Sequence, residues 1–271
     1  MACILNQIVS LSLSLSLSLF VCVHLSRTNN SRLTIATSVH PLPHLPQQQL
    51  EVLTKPYGNF VNVDTSTPLG LQRAADLGLI PSRTVDVVLT PHIREATQLF
   101  SQHHRGRLFG LFRHPVERVV SLYYFLRMPD QQETVGLNVN IRNMTLEDFA
   151  TSVSENWMVR SLTNVMSGPL DESHLNVAKE IIRRKFLVGI LDEKTESLRR
   201  IEAYFGWNLP SRVSQKCKNN MFYFEPQSKN IHEPVNKDSR EYMILKERNF
   251  FDLELYEYAK GLFEEQRSLI N

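Results

Sequence analysis

The sequence has few cysteines and little net charge. Its 271 residues include only Cys3, Cys22 and Cys217, and the first two lie near the N-terminus. The one cysteine that remains cannot form a disulfide bond within the domain. We therefore expect neither a disulfide framework nor a zinc site, and no metal. The formal net charge of +2 is too small to indicate nucleic acid as a partner. The sequence sets no expectation for the oligomeric state.

The N-terminal apolar segment lacks a positive start and an unbroken hydrophobic run. Apolar residues are frequent from Cys3 to Val23, but Ser and Leu alternate from Ser10 to Leu19, and no Lys or Arg precedes them. The segment is long enough to span a membrane, yet half of the repeat is polar and no charge sets an orientation. A signal peptide would also need a positive start. Two interpretations stay open: a membrane anchor, or a wrongly assigned start, since a translated repeat of C and T gives alternating Leu and Ser.

A polar, proline-containing segment follows, from Arg27 to Gln49, and its composition is typical of an extended stalk or linker. We therefore divide the chain into a leader and linker, residues 1–56, and one domain, residues 57–271. With 42% hydrophobic residues, this domain is large enough to bury a core of its own.

Strand patterns alternate with helix patterns through the domain, which predicts a three-layer α/β fold with a mostly parallel sheet. The predicted strands are Asn59–Asp64, Val85–Thr90, Leu108–Phe112 and Phe186–Leu191. The predicted helices begin at Thr67, after His92, at Val116, at Thr145, at Asp171 and at Asp192, and one or two more close the chain.

The segment Arg107–Arg127 carries the strongest pattern for binding. A short apolar strand runs into Arg113-His114-Pro115, and Pro115 suits the first position of the next helix. The N–H groups and positive end of that helix favour an anion, and Arg113 can offer a bidentate guanidinium beside them. Arg118 and Ser121 lie three residues apart on one helical face. The segment therefore predicts a site that holds a phosphate group.

This segment resembles the 3′-phosphate-binding motif of sulfotransferases that use 3′-phosphoadenosine 5′-phosphosulfate (PAPS). Its tail, Ser121 to Arg127, is most similar to the Golgi carbohydrate branch, including uronyl 2-O-sulfotransferases. The resemblance covers about Tyr57 to Leu269. It implies a fold related to the P-loop nucleoside triphosphate hydrolases, PAPS as cofactor and a carbohydrate acceptor. It also implies a Golgi membrane location with a luminal domain, and a 3′-phosphate held by Arg113 and Ser121, with Arg118 beside them.

One feature of the family is not visible in the sequence. PAPS-dependent enzymes carry an early loop rich in Gly, Ser and Thr, with a Lys or Arg, that holds the 5′-phosphosulfate. The nearest basic residue to a suitable turn is Lys55, and no such cluster or helix follows it. Two hypotheses therefore stay open: an active PAPS-dependent sulfotransferase, or a catalytically inactive relative with a binding or scaffolding role.

Sulfuryl transfer to a hydroxyl needs a base for the acceptor proton. His92 is our candidate, because it ends the strand before the central one and resembles the Gly-His position of the uronyl 2-O branch, although the Gly is absent. His114 is the alternative, with a supporting role in the phosphate site. Asn156 and Arg160 are candidate site residues for another reason, because the segment Asn156–Asn164 resembles one that lies near the nucleotide in the family, whereas Trp157 is expected in the core. The polar loop Met128–Arg142 is a candidate for acceptor contacts. The sequons at Asn29 and Asn143 would be used only in a luminal protein.

Overall fold

The computed structural model describes residues 21–24, 34–37, 49–55, 58–127, 141–206 and 234–269. Seven strands form one sheet in the order β3-β4-β2-β5-β1-β6-β7. The strands are β1 Val21–His24, β2 Thr34–Ala36, β3 Val52–Lys55, β4 Gly58–Val61, β5 Val87–Thr90, β6 Arg107–Phe112 and β7 Phe186–Ile190.

The strands are mixed in direction, with a parallel majority. β2 pairs in parallel with β4 and β5, and β6 pairs in parallel with β7. β1 lies antiparallel between β5 and β6, and β3 lies antiparallel to β4. Thus β2, β4, β5, β6 and β7 run one way and β1 and β3 run the other. The α/β class is confirmed with this parallel-rich sheet.

Three strands, β1, β2 and β3, precede residue 57. The sheet therefore includes residues from both sides of the boundary that the sequence analysis places between the linker and the domain. The Ser/Leu repeat, the sequon at Asn29 and residues 128–140 of the acceptor loop lie outside the described residues. Among the helices that the structure describes, none combines the length and apolar character of a membrane span.

The helices follow the strands with local signals that the sequence carries. Thr67 caps the first helix by accepting a hydrogen bond from Gly70, and Thr145 and Asp148 form a capping box, as predicted. The helix after His92 is short and ends at Thr97. The helices are α1 Pro68–Asp76, α2 Ile93–Thr97, α3 Pro115–Leu126, α4 Leu146–Ser152, α5 Trp157–Thr163, α6 Glu172–Lys185, α7 Lys194–Phe205, α8 Arg240–Arg248 and α9 Phe250–Glu265.

The sheet is covered by helices on both faces. On β5, Val88 packs in one buried cluster while Val87 and Leu89 pack in the other, as the alternation of a strand requires. The first cluster includes residues of α1, α2, α5, α6 and α9, and the second includes residues of α7. In α9, Leu255 is buried and Leu253 is half-buried. With both faces covered, the carboxyl ends of the parallel strands lie together at one edge of the sheet.

Candidate functional site

The candidate site lies where the parallel strands reach their carboxyl ends. His92 follows β5, Arg113 follows β6 and Asp192 follows β7, so all three lie at one edge of the sheet. Strand β1 separates β5 from β6, and with neighbouring strands about 4.8 Å apart these two are about 10 Å apart. This edge is the usual position of ligand sites in open α/β sheets.

The turn between β6 and α3 has the strand-turn-helix geometry that the sequence predicts. His114 is the N-cap residue of α3 and makes no side-chain capping bond, and Pro115 occupies the first turn. The amide of Arg118 donates to the His114 carbonyl at 2.9 Å, which closes the first turn. The earlier N–H groups have no partner within the helix, so the positive end of α3 faces the turn.

Arg113 offers a buried cationic donor beside this helix end. Its Nη1 atom is buried and has no hydrogen-bond partner in the described part of the chain. Burial lowers the pKa of the Arg113 guanidinium, and the carboxylates of Glu117 and Asp192 offset part of that effect. An unsatisfied charged donor is costly to bury, so this atom is suited to an anionic ligand.

Arg118 lies deeper in the same site. Its side chain is almost fully buried, with 3% exposed, and Nε and Nη2 find no hydrogen-bond acceptor among the residues described. The guanidinium carbon lies 5.5 Å from the centre of the Trp157 ring, in a cation–π contact. Burial lowers the pKa of Arg118, Asp252 raises it and the charge of Arg113 lowers it further. Ser121, three residues further along α3, is also buried, and α3 begins two residues after Arg113.

His114 lies on the other side of the turn. Its Nδ1 atom is buried without a partner in the described ranges, and its ring meets the Tyr256 ring edge-on at 5.6 Å. Burial lowers the pKa of His114, which favours the neutral imidazole. Tyr256 donates its hydroxyl to Asp192 Oδ2 at 2.9 Å, and burial, with Asp192 second, raises the pKa of that phenol.

His92 is half-buried and held in one tautomer. Its Nε2 atom lies 3.1 Å from the carbonyl oxygen of Ser66, which can only accept, so Nε2 carries the proton. The Nδ1 atom then carries the lone pair. The backbone N–H of His92 donates to Thr90 Oγ1 at 3.0 Å, which fixes the turn after β5. The structure thus places His92 at the same sheet edge as Arg113, with a nitrogen able to accept a proton.

Asn156 and Arg160 both have hydrogen-bond partners within the protein. Arg160 donates to the carbonyl oxygens of Glu155, Val165 and Gly168, each at 3.0 Å. Asn156 adopts a left-handed conformation with φ 48°, and its side-chain amide donates to the Arg248 carbonyl at 3.0 Å. Trp157 packs against the core cluster as expected, and its ring also contacts Arg118.

Two buried residues that the sequence analysis missed, Asn249 and Asp252, join α9 to α5. Asp252 Oδ2 accepts from the Met158 amide at 2.9 Å and Oδ1 accepts from the Val159 amide at 2.8 Å. In return, Asn156 Oδ1 accepts from the Asp252 amide at 3.1 Å, and Asn249 Oδ1 accepts from the Asn156 amide at 3.0 Å. We call these four hydrogen bonds the α5–α9 junction. The spacing Asn249-x-x-Asp252 was a visible signal, but it would have predicted capping of α9 itself.

No group of three or more potential metal ligands occurs among the described residues. Residues 89–259, which run from β5 into α9, match the model of a protein family described as the sulfotransferase family. This match covers more than half of the chain and includes His92, Arg113, Arg118, Ser121 and Asp252. No curated protein and no solved structure matches the chain significantly.

Proposed function

The chain belongs to the sulfotransferase family, and on that premise we propose that it transfers a sulfuryl group from PAPS to a hydroxyl group of a carbohydrate. Family membership supports sulfuryl transfer in general. The donor, the acceptor class and a relationship of the fold to the P-loop nucleoside triphosphate hydrolases are our proposals. They rest on the site at the start of α3 and on the resemblance of Arg107–Arg127.

The observation that carries the proposal is the set of buried, unpaired cationic donors at the start of α3. Arg113 Nη1, Arg118 Nε and Arg118 Nη2 have no acceptor within the described residues. A phosphate dianion supplies several strong acceptors, and a helix N-terminus adds N–H groups and positive potential. The residues present therefore fit the 3′-phosphate of PAPS, with Arg113, Arg118 and Ser121 as the groups that would hold it.

PAPS supplies a sulfuryl group joined to a good leaving group, its 5′-phosphate. His92 is placed to accept the proton of the acceptor hydroxyl at Nδ1, because the bond from Nε2–H to Ser66 fixes the tautomer and the ring. Loss of that proton lets the acceptor oxygen bond to sulfur as the bond to the 5′-phosphate breaks. The proton ends on His92, and the electron pair leaves with the phosphate.

We assign no described residue to the sulfated end of the donor. The nearest Ser/Thr-rich strand-to-helix turn, between β4 and α1, uses its hydroxyl groups locally. Thr65 donates to the Leu89 carbonyl at 2.7 Å, Ser66 donates to Asp64 at 2.6 Å, and Thr67 caps α1.

We further propose a Golgi location, with the domain in the lumen and a membrane anchor in the leader. Two features support it: the resemblance to the Golgi carbohydrate branch, and the sequon at Asn143. Asn143 is exposed, as the acceptor of an N-linked glycan must be. The loop Met128–Arg142 remains our proposal for contacts with the carbohydrate.

Transfer of labelled sulfate from PAPS to a panel of carbohydrates by the full chain tests the activity. His92→Gln keeps an N–H donor for the Ser66 carbonyl and removes the base, so we expect kcat to fall by roughly 10²- to 10⁴-fold with product-nucleotide affinity unchanged. His114→Gln is the matched variant from the same sheet edge. A large kcat loss in His114→Gln with normal turnover in His92→Gln would reverse the two roles, and no labelled product from any acceptor would contradict the activity.

A further inference from the structure

The α5–α9 junction lies directly behind the proposed phosphate site. Trp157, the first residue of α5, covers the guanidinium of Arg118 at 5.5 Å, and the next two residues of α5 give their amides to Asp252. The carboxylate of Asp252 therefore holds the helix end whose first side chain contacts Arg118. Asp252 has no exposed surface, so nothing but protein surrounds it.

Asp252 and Arg118 also interact through their charges. The charged groups that act on Asp252 are Arg118 from α3 and Arg160 from α5, and both favour the ionised carboxylate. Arg160 is already paired with Glu155 at 3.0 Å, whereas Arg118 Nε and Nη2 have no hydrogen-bond partner within the described ranges. Arg118, a residue of the proposed phosphate site, is therefore also a charge that keeps Asp252 ionised.

We propose, resting on the function proposed above, that Asp252 is a positioning residue of the phosphate site, which holds α5 and Arg118 in place and takes up a proton when a phosphate binds there. A phosphate on Arg118 neutralises the charge that favours the carboxylate and adds negative charge of its own. The ionised form of Asp252 then becomes less favourable, and protonation relieves the repulsion. Asp252 retains an acceptor oxygen for α5 when it is protonated.

The ionisation of Asp252 lies in a range where this exchange can be observed. Burial raises the pKa of Asp252 to about 6, although Arg118 and the amides of Met158 and Val159 lower it. A ligand that neutralises Arg118 moves the pKa further up, towards neutral pH. Binding near pH 7 then takes up protons, and affinity rises as the pH falls.

The test is calorimetric titration of the full chain with 3′-phosphoadenosine 5′-phosphate, the desulfated product, in buffers of different ionisation enthalpy. The heat difference between buffers gives the number of protons taken up. The 3′-phosphate itself titrates near pH 6 and contributes to the proton uptake. The quantity compared is therefore the difference in proton uptake between wild type and Asp252→Asn with the same ligand. We expect wild type to take up roughly half a proton more at pH 6.5–7. The ratio of the wild-type affinity to the variant affinity should increase about three- to tenfold as the pH is lowered from 8 to 6.

Asn249→Ala is the matched control, because it breaks the same junction at an equally buried position without removing a titrating group. We expect this variant to take up protons as the wild type does. If Asp252→Asn does not fold, Asp252→Ser replaces it, since serine does not titrate and still offers α5 an oxygen.

Equal proton uptake by wild type and the non-titrating variant would overturn the proposal. So would an equal loss of proton uptake in Asn249→Ala, because the effect would then be structural. Either result leaves the proposed function standing as long as the wild type binds the nucleotide. Failure of the wild type to bind it at all would overturn the proposed function, and this inference with it.

Discussion

Arg113 and Arg118 carry buried nitrogen atoms without hydrogen-bond partners in the described residues, an arrangement that lowers the stability of the unliganded protein. Such cost is common at binding sites, where groups are arranged for a ligand instead of for each other. Asp252 adds to it, since its buried carboxylate meets Arg118 without sharing a hydrogen bond with Nε or Nη2. Arg113 and Arg118 together place positive charge at the start of α3.

Asp252→Asn should change the pH dependence of folding. The folded-state pKa of about 6 lies above the ordinary value of 3.8, so Asp252 is favourable to folding below about pH 4 and this contribution is lost as the pH rises through 6. Relative to the wild type, the variant should therefore gain on the order of 2–3 kcal/mol in free energy of unfolding between pH 4 and pH 7.5. Urea unfolding at both pH values measures the difference.

Asn249→Ala is again the comparison, because it removes a buried hydrogen-bonding side chain from the same junction. Its destabilisation should be the same at pH 4 and pH 7.5. A difference between wild type and Asp252→Asn that does not vary with pH would show that the carboxylate titrates in the folded protein as it does in the unfolded chain.

At the residue scale, the sequence predicts those parts of the proposed site that are formed by residues close together in the sequence. Arg113, Arg118 and Ser121 lie within nine positions of one another on one strand-turn-helix segment, so the sequence alone was enough to propose them as one site. Asp252 could not be predicted, because it reaches the site only through the packing of α9 on α5. Asn156 and Arg160 were expected near the site because their segment resembles one that lies near the nucleotide in the family. In the structure Asn156 donates to the Arg248 carbonyl and Arg160 to the Glu155 carbonyl.

At the element scale, local capping and turn chemistry explain most helix boundaries. Asp171 accepts from the amides of Ser173 and His174 and begins α6, and Gly206 ends α7 in a left-handed conformation with φ 65°. These boundaries were predictable because the residues that fix them are adjacent in sequence. The end of α2 at Thr97 was not predictable, because no glycine or proline marks it.

Two glycines offer a matched test of this argument. A Cβ at Gly206 or at Gly261 meets no atom within 4 Å, so crowding affects neither. Gly206 needs a positive φ that L-residues adopt at a cost, so Gly206→Ala should lower the free energy of unfolding by about 1 kcal/mol. Gly261 lies in the interior of α9, and Gly261→Ala should raise it by about 0.5–1 kcal/mol.

Urea unfolding of the two variants beside the wild type tests this pair. Changes of the same sign would contradict it, because only the backbone conformation distinguishes the two positions.

At the scale of the whole molecule, the alternation of strands and helices predicts the α/β class but not the complete order of the sheet. β1 pairs antiparallel with both β5 and β6, and β3 pairs antiparallel with β4. These pairings join segments that are distant in sequence, and no local pattern specifies them. The direction of β5, β6 and β7 was predictable, because each is followed by a helix, and it is this direction that gathers His92, Arg113 and Asp192 at one edge.

The central claim is that Arg113 and the start of α3 hold a 3′-phosphate. Calorimetric titration compares two ligands, 3′-phosphoadenosine 5′-phosphate and adenosine 5′-phosphate, which differ only by that group. The proteins are the wild type, Arg113→Ala and Arg107→Ala. Arg107 is the matched control, because it lies at the opposite end of the same strand and contacts Tyr204 instead of the site.

We expect Arg113→Ala to weaken binding of the 3′-phosphorylated ligand by roughly 10- to 100-fold, as loss of charge-assisted hydrogen bonds requires. It should leave the affinity for adenosine 5′-phosphate nearly unchanged, and Arg107→Ala should alter neither. Equal losses for both ligands in Arg113→Ala, or unchanged affinity for the 3′-phosphorylated one, would contradict the assignment of the 3′-phosphate to this site.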